Sequence, residues 1–210
     1  MYKILTVKSV KYSLTICTLL VGITIFSGCG SSKQVTRVDA DTTIDLSGRW
    51  NDTDSRMVAD EIIGDCLTHS WINDHGISAG GKPVVIVGGI RNKSMEHIAV
   101  ATFISDIERA FINSGKVRTV SSSNERSEIR EERADQGEFA ALETVKRMGR
   151  ELGADYMMTG EINTIEDREG GDQVVFYQTD LTLTNIETNE KIWIGQKKIK
   201  KFIGRSKFKP

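Results

Sequence analysis

Proline is almost missing from this 210-residue chain, which has only Pro83 and Pro210. A stiff Pro-rich spacer is thereby excluded. Cysteine is equally sparse, at positions 17, 29 and 66, too few for a disulfide-stapled scaffold. The longest apolar run, Leu14 to Phe26, spans 13 residues, short of the ~20 that a membrane-crossing helix needs. Neither sign of charge prevails: 28 Lys and Arg against 29 Asp and Glu give a net charge of −1, which excludes a generically basic nucleic-acid binder. Catalytic spacings are missing as well. There is no G-x-S-x-G, no H-E-x-x-H, no G-x-x-x-x-G-K-[ST], and no G-x-G-x-x-G after a strand.

The charge that is present is unevenly placed. The first 28 residues carry Lys3, Lys8 and Lys11 and no acid; the last 20 carry eight bases and no acid; residues 29–190 hold 17 bases against 29 acids. A positive n-region followed by a short apolar stretch reads as a signal peptide over residues 1–28. Phe26-Ser27-Gly28-Cys29 then resembles a bacterial lipobox, where small residues admit the signal peptidase and the Cys is acylated. The plainer reading is a secreted protein with a chance cysteine, but signal and box coincide in register. Cys29 is therefore expected to carry palmitate-type chains, several of which anchor stably where one does not. Gly30 resembles the context that sorts lipoproteins to the outer membrane, with the domain facing the periplasm. Cys66 would be the remaining thiol of a mature chain long enough, at 182 residues, to build its own core.

Residues 29–47 are polar, rich in Ser, Thr and Asp, and without periodicity; they read as the lipidated Cys and a flexible tether spanning ~60 Å stretched and ~25 Å as a coil. A folded domain is expected over 48–210. Val58, Ile62, Ile63, Cys66, Leu67 and Trp71 recur at helical spacing to about His75. Val84 to Val87 reads as a buried strand ending at Gly88-Gly89, with a turn at Arg91 to Ser94. A second helix carries Ile98, Phe103, Ile107 and Phe111 and stops at Gly115; Val117 to Val120 is a short strand. A polar connection covers 121–127, and 128–152 reads as helix with Leu142, Val145, Met148 and Leu152 inward. Three strands follow, from Tyr156, around a Gly170-Gly171 hairpin, and through Ile192 to Ile194 into the lysines. The order α-β-α-β-α-β-β-β, with crossovers and then a meander, predicts an α/β fold: a mixed sheet with helices packed on it.

Few residues suggest chemistry. Cys66-x-x-His69 with His75 beyond has the residue types of a metal site, but Cys66 falls on the apolar stripe and has no second Cys. His97 stands alone at a helix start. Asp52 with Asp54, and Glu131 with Glu132, read as caps and solvated faces. No metal, cofactor or small-molecule substrate is expected, and no catalysis. Lys197, Lys198, Lys200, Lys201, Arg205, Lys207 and Lys209 are the strongest oddity. They read either as a lysine-protected edge strand with a frayed tail or as a cationic handle for lipid phosphates, peptidoglycan carboxylates or an acidic partner.

Taken in order, Trp50-Asn51, the stretch Val84 to Ser94, Asn113-Ser114-Gly115-Lys116-Val117, Gly153-Ala154-Asp155-Tyr156 and Glu187 to Gly195 resemble the LpoB family. Its members are outer-membrane lipoproteins that activate a bifunctional class A penicillin-binding protein. The resemblance implies a fold similar to the TolB amino-terminal domain and CsgG-type lipoproteins. It also implies regulation of peptidoglycan synthesis by protein binding, with nucleic acid excluded. Arg91, Lys93, Glu96, Lys198 and Lys200 are the expected partner-binding residues, on a loop and a terminal strand. The alternative is an envelope scaffold or secretion-associated lipoprotein. Well-known members have a long Pro-rich tether, whereas residues 30–47 of this chain contain no proline.

Overall fold

A computed structural model describes residues 34–40, 42–139 and 151–204. Residues 34–40 belong to a unit of their own, exposed and without helix or strand. The second unit, from Asp41 onward, holds the helices and strands of the described residues. Residues 1–28, 140–150 and 205–210 lie outside the described residues, as does Cys29. The expected inward positions Leu142, Val145 and Met148 fall there too.

The first helix, α1 (Asp52–Cys66), starts on a reciprocal capping box. Asp54 N–H donates to Asn51 Oδ1 at 3.0 Å, and Asn51 N–H donates to Asp54 Oδ2 at 2.9 Å. The apolar stripe expected to run on to His75 is instead divided, and a separate helix α2 (Trp71–Ser78) follows. At the break the Trp71 indole donates to the Cys66 carbonyl at 2.8 Å and the Thr68 hydroxyl to the Asp65 carbonyl at 2.7 Å. Carbonyls that a continuing helix would use are thus taken by side chains. Strand β1 (Val84–Asn92) passes through Gly88-Gly89 rather than ending there, with a register shift between Val87 and Ile90. Helix α3 (Val100–Ser114) buries Phe103, Ile107 and Phe111 and closes on Gly115 at φ 63°, the left-handed C-cap that glycine adopts without strain. Strand β2 (Arg118–Thr119) is short, and helix α4 (Ser123–Phe139) starts earlier than its polar sequence suggests. Leu152, expected inward, lies outside any helix and is exposed.

The meander is long: β3 (Tyr156–Glu169), β4 (Asp172–Asn185) and β5 (Lys191–Ile203). The sheet order is β2-β1-β3-β4-β5, parallel where β1 meets β2 and β3 and antiparallel from β3 onward. The mixed α/β sheet is thus as expected, with the leading helix split in two. Strand alternation sends Val85, Val87, Met158, Ile162, Leu181, Leu183 and Trp193 to one face, where they join Val58, Ile62, Ile63, Phe103, Ile107 and Phe111 in the core. Gly160 is required by this packing, because a Cβ there would collide with the Asp180 carbonyl and Leu181.

Candidate functional site

Alternation that buries one face of β3, β4 and β5 leaves the other open, and its register can be read directly. Across β3, β4 and β5 the rows are Ile165-Phe176-Lys200, Asn163-Gln178-Lys198 and Glu161-Asp180-Gln196, with Arg91 of β1 beside Glu161. Four of the five residues singled out in the sequence are positioned on or beside this face: Arg91, Lys93, Lys198 and Lys200. The fifth, Glu96, is not.

At the β1 corner, Lys93 Nζ lies 2.6 Å and Arg91 Nη2 3.6 Å from the Glu161 carboxylate. The Lys93 ammonium, helped by Asn163 and Arg91, holds Glu161 below the usual carboxylate range against a small opposing effect of burial. Next to it, Asp180 accepts from Gln178 at 2.8 Å and Gln196 at 2.7 Å. The corner is a fixed polar mosaic, with Arg91 largely in solvent.

Glu96 points the other way. Its Oε2 accepts the Trp50 backbone N–H at 3.1 Å and its Oε1 accepts the Tyr177 hydroxyl at 2.7 Å. Burial, and then the bond to this carboxylate, push the Tyr177 phenol well above its ordinary value. Glu96 also anchors its own loop: Asn92 Nδ2 donates to its carbonyl at 2.7 Å. Its carboxylate therefore fixes the loop that carries Lys93 and does not extend from it.

The lysines of β5 divide by parity. Lys197 and Lys201 turn inward, Lys197 to Glu61 and Lys201 to Asp54 at 2.6 Å and Asp45 at 2.8 Å. Burial would lower the Lys201 ammonium, but its bonds to Asp45 and Asp54 outweigh that and hold it above its ordinary value. Among the described residues Lys198 and Lys200 make no ion pair. Two apolar members of the open face, Ile165 and Ile194, were missed in the sequence; they are 67% and 63% exposed, and Phe202, which the sequence offers as an interface residue among the lysines, is 69% exposed. The available signal was their parity, opposite to that of Ile162 and Trp193.

Cys66 and His75 are built into the packing, whereas His69 is half exposed and His97 exposed. Cys66 is buried, and burial pushes its thiol up to about 12. His69 bonds the Asp65 carbonyl at 2.9 Å. His75 lies 3.1 Å from the Tyr156 hydroxyl and 3.6 Å from Asp155, beside a cleft of about 390 Å³. Asp155 in turn accepts the Val84 N–H at 2.8 Å, so this cluster ties α2 to the start of β1 and β3. Among the described residues no three His, Cys, Asp or Glu side chains converge as metal ligands, and no helix is long and apolar enough to cross a membrane.

Comparison with known proteins gives three kinds of result. No curated protein matches. Among solved structures the chain is similar to lipoprotein GNA1162 from Neisseria meningitidis, at 13% identity over 60% of this chain and 88% of that one, TM-score 0.37. It is also similar to the LpoB C-terminal domain from Escherichia coli, at 15% identity over 67% and 97% of the two chains, TM-score 0.35. The family model described as peptidoglycan-synthase activator LpoB matches residues 54–199, from the first turn of α1 to the middle of β5. The chain belongs to the LpoB family of peptidoglycan-synthase activators.

Proposed function

We propose that this chain is a non-catalytic lipoprotein, acylated at Cys29 and held in the outer membrane. Its periplasmic domain activates a bifunctional class A penicillin-binding protein. The observation that carries this reading is the family match across residues 54–199. The family is one of activators, and the residues with the types of a metal site, Cys66, His69 and His75, are taken up by burial or by hydrogen bonds.

The Arg91-Lys93-Glu161 corner is the synthase contact in this reading. It offers two cations, Arg91 at the end of β1 and Lys93 on the following loop, which Glu96 fastens from behind, so that little side-chain entropy is lost on binding. Activation further requires that the corner bind the active conformation of the synthase more tightly than the inactive one, since equal affinity for both shifts nothing. The test is binding of the Arg91→Glu/Lys93→Glu variant to a purified class A synthase. Affinity should fall at least tenfold with the fold intact by circular dichroism. Unchanged affinity would remove the corner from the contact.

A further inference from the structure

Lys198 and Lys200 are not explained by that contact, because they lie on the opposite margin of the open face. We propose that the β5 margin, formed by Lys198, Lys200 and Phe202 with the neighbouring Ile165, docks on the anionic phospholipid leaflet that holds the chain's own anchor. The proposal rests on the reading of Cys29 as the acylated residue.

The make-up of this margin suits a membrane. Ile165 pairs with Phe176, Val174 pairs with Phe202, and Phe176 pairs with Lys200, so four apolar side chains form one contiguous patch bordered by two lysines. The open face of an antiparallel sheet is ordinarily polar, yet here Ile165 and Phe202 are each about two-thirds exposed. Apolar groups with lysines at their rim match a headgroup boundary, where the stems lie along the apolar layer and the ammonium groups meet phosphate. The acids of the face are largely occupied: Glu161 by Lys93 and Arg91, Asp180 by Gln178 and Gln196. Asp167 is the direct cross-strand partner of Val174 and flanks the patch on its β3 side, while Glu169 and Asp172 lie one row further toward the β3–β4 hairpin. On the β5 side the sequence continues through Arg205, Lys207 and Lys209 with no acid.

The path of the chain selects lipid over a protein partner. Lys201, between Lys200 and Phe202, holds Asp45 at 2.8 Å, and Asn51 Nδ2 grips the same carboxylate at 2.6 Å. Gly48, at φ 72°, packs against Ile203 so closely that a Cβ would collide with that side chain. The chain thus enters the folded unit alongside the end of β5. Cys29 is 16 residues before Asp45, a reach of ~55 Å extended and ~22 Å as a coil. The patch and the chain's entry into the folded unit share one end of β5, and the anchor belongs to the same chain, so docking is intramolecular and a weak surface suffices. Each lysine near an anionic surface supplies about a fivefold factor, and the pair about 30-fold.

The experiment uses the mature lipoprotein, its acylation verified by mass, in vesicles of phosphatidylcholine alone or with one-third phosphatidylglycerol. An environment-sensitive thiol probe is placed by Phe202→Cys, Cys66 being buried. The probe should shift to the blue and be quenched by lipid-borne nitroxides only in the anionic vesicles. Lys198→Gln/Lys200→Gln should lower the docked-to-undocked ratio about 30-fold. Identical emission in both vesicle types, or no effect of the double substitution, would overturn the proposal. So would a probe that stays aqueous on anionic vesicles and shifts only when purified synthase is added, which would make the margin a protein contact. An unmodified Cys29 would instead refute the anchor, and with it this proposal, leaving the synthase contact to be judged by its own binding assay.

Discussion

Replacing Lys201 with methionine tests how the domain holds the start of its chain. The ammonium sits between Asp54, which is 4% exposed, and Asp45, while its own side chain is 12% exposed. Methionine keeps most of the stem's packing and removes the charge, leaving the Asp54 carboxylate buried without its cation. Breaking a buried pair in this way costs about 3–5 kcal/mol. Asp54 retains the Asn51 N–H as a donor, so the low end, about 3 kcal/mol, is expected. For a domain of this size that is ~6–12 °C in Tm, measured by circular dichroism on protein lacking residues 1–29. Asp54→Asn/Lys201→Met should recover at least half of the loss, because the substituted amide can still accept from the Asn51 N–H and no buried charge is left unpaired. The pH dependence follows from the shifts. Lys201 is raised, so its contribution is complete at neutral pH and is lost as pH rises through the folded-state value, above ~10.4. Asp45 is lowered, chiefly by its hydrogen bond to Lys201, so its contribution is present above ~3.9 and is lost as pH falls below that. A Lys201→Met Tm within about 2 °C of the parent, less than 1 kcal/mol for this size, would refute the buried-pair reasoning. A double variant as unstable as the two singles summed would refute it too.

Three further outcomes are expected. Burial that pushes the Cys66 thiol up to about 12 should leave it unreactive toward thiol reagents at mildly alkaline pH in the folded protein and reactive in denaturant; labelling of the native state would contradict its placement. Glu96→Ala removes the acceptor of both the Trp50 N–H and the Tyr177 hydroxyl and should cost ~2–3 kcal/mol in urea unfolding, whereas a loss confined to synthase binding at unchanged stability would make Glu96 a contact residue. Deleting about half of residues 30–44 should abolish function in cells without altering synthase stimulation by the purified domain; normal growth with the shortened tether would show that reach is not limiting.

Some of this was legible in the residues and some was not, for identifiable reasons. The β3–β4 hairpin could be read because Gly170-Gly171 separates two runs of period two, and the end of α3 because Gly115 supplies the left-handed cap. The break between α1 and α2 could not, because Trp71 falls in helical phase with Leu67 while the groups that interrupt the helix, the Thr68 hydroxyl and the Trp71 indole, act through hydrogen bonds that periodicity does not register. Arg91 and Lys93 were recognisable as exposed cations beside a turn. Glu96 looked equivalent to them, but its partners Trp50 and Tyr177 lie 46 and 81 residues away in sequence. The division of the β5 lysines was readable in principle, since an inward Trp193 sets the odd positions inward and so places Lys197 and Lys201 against α1. That Lys201 would hold Asp45 was beyond sequence reach, because the contact spans 156 residues.

The most direct test of the central claim is the rate at which a purified class A penicillin-binding protein polymerises lipid-linked disaccharide into glycan strands, with and without the purified domain of this chain. A saturable rise in that rate is predicted, with no turnover by the domain alone and a weakened response for Arg91→Glu/Lys93→Glu. An unchanged rate at concentrations where the two proteins bind, or polymerisation by the domain itself, would contradict it.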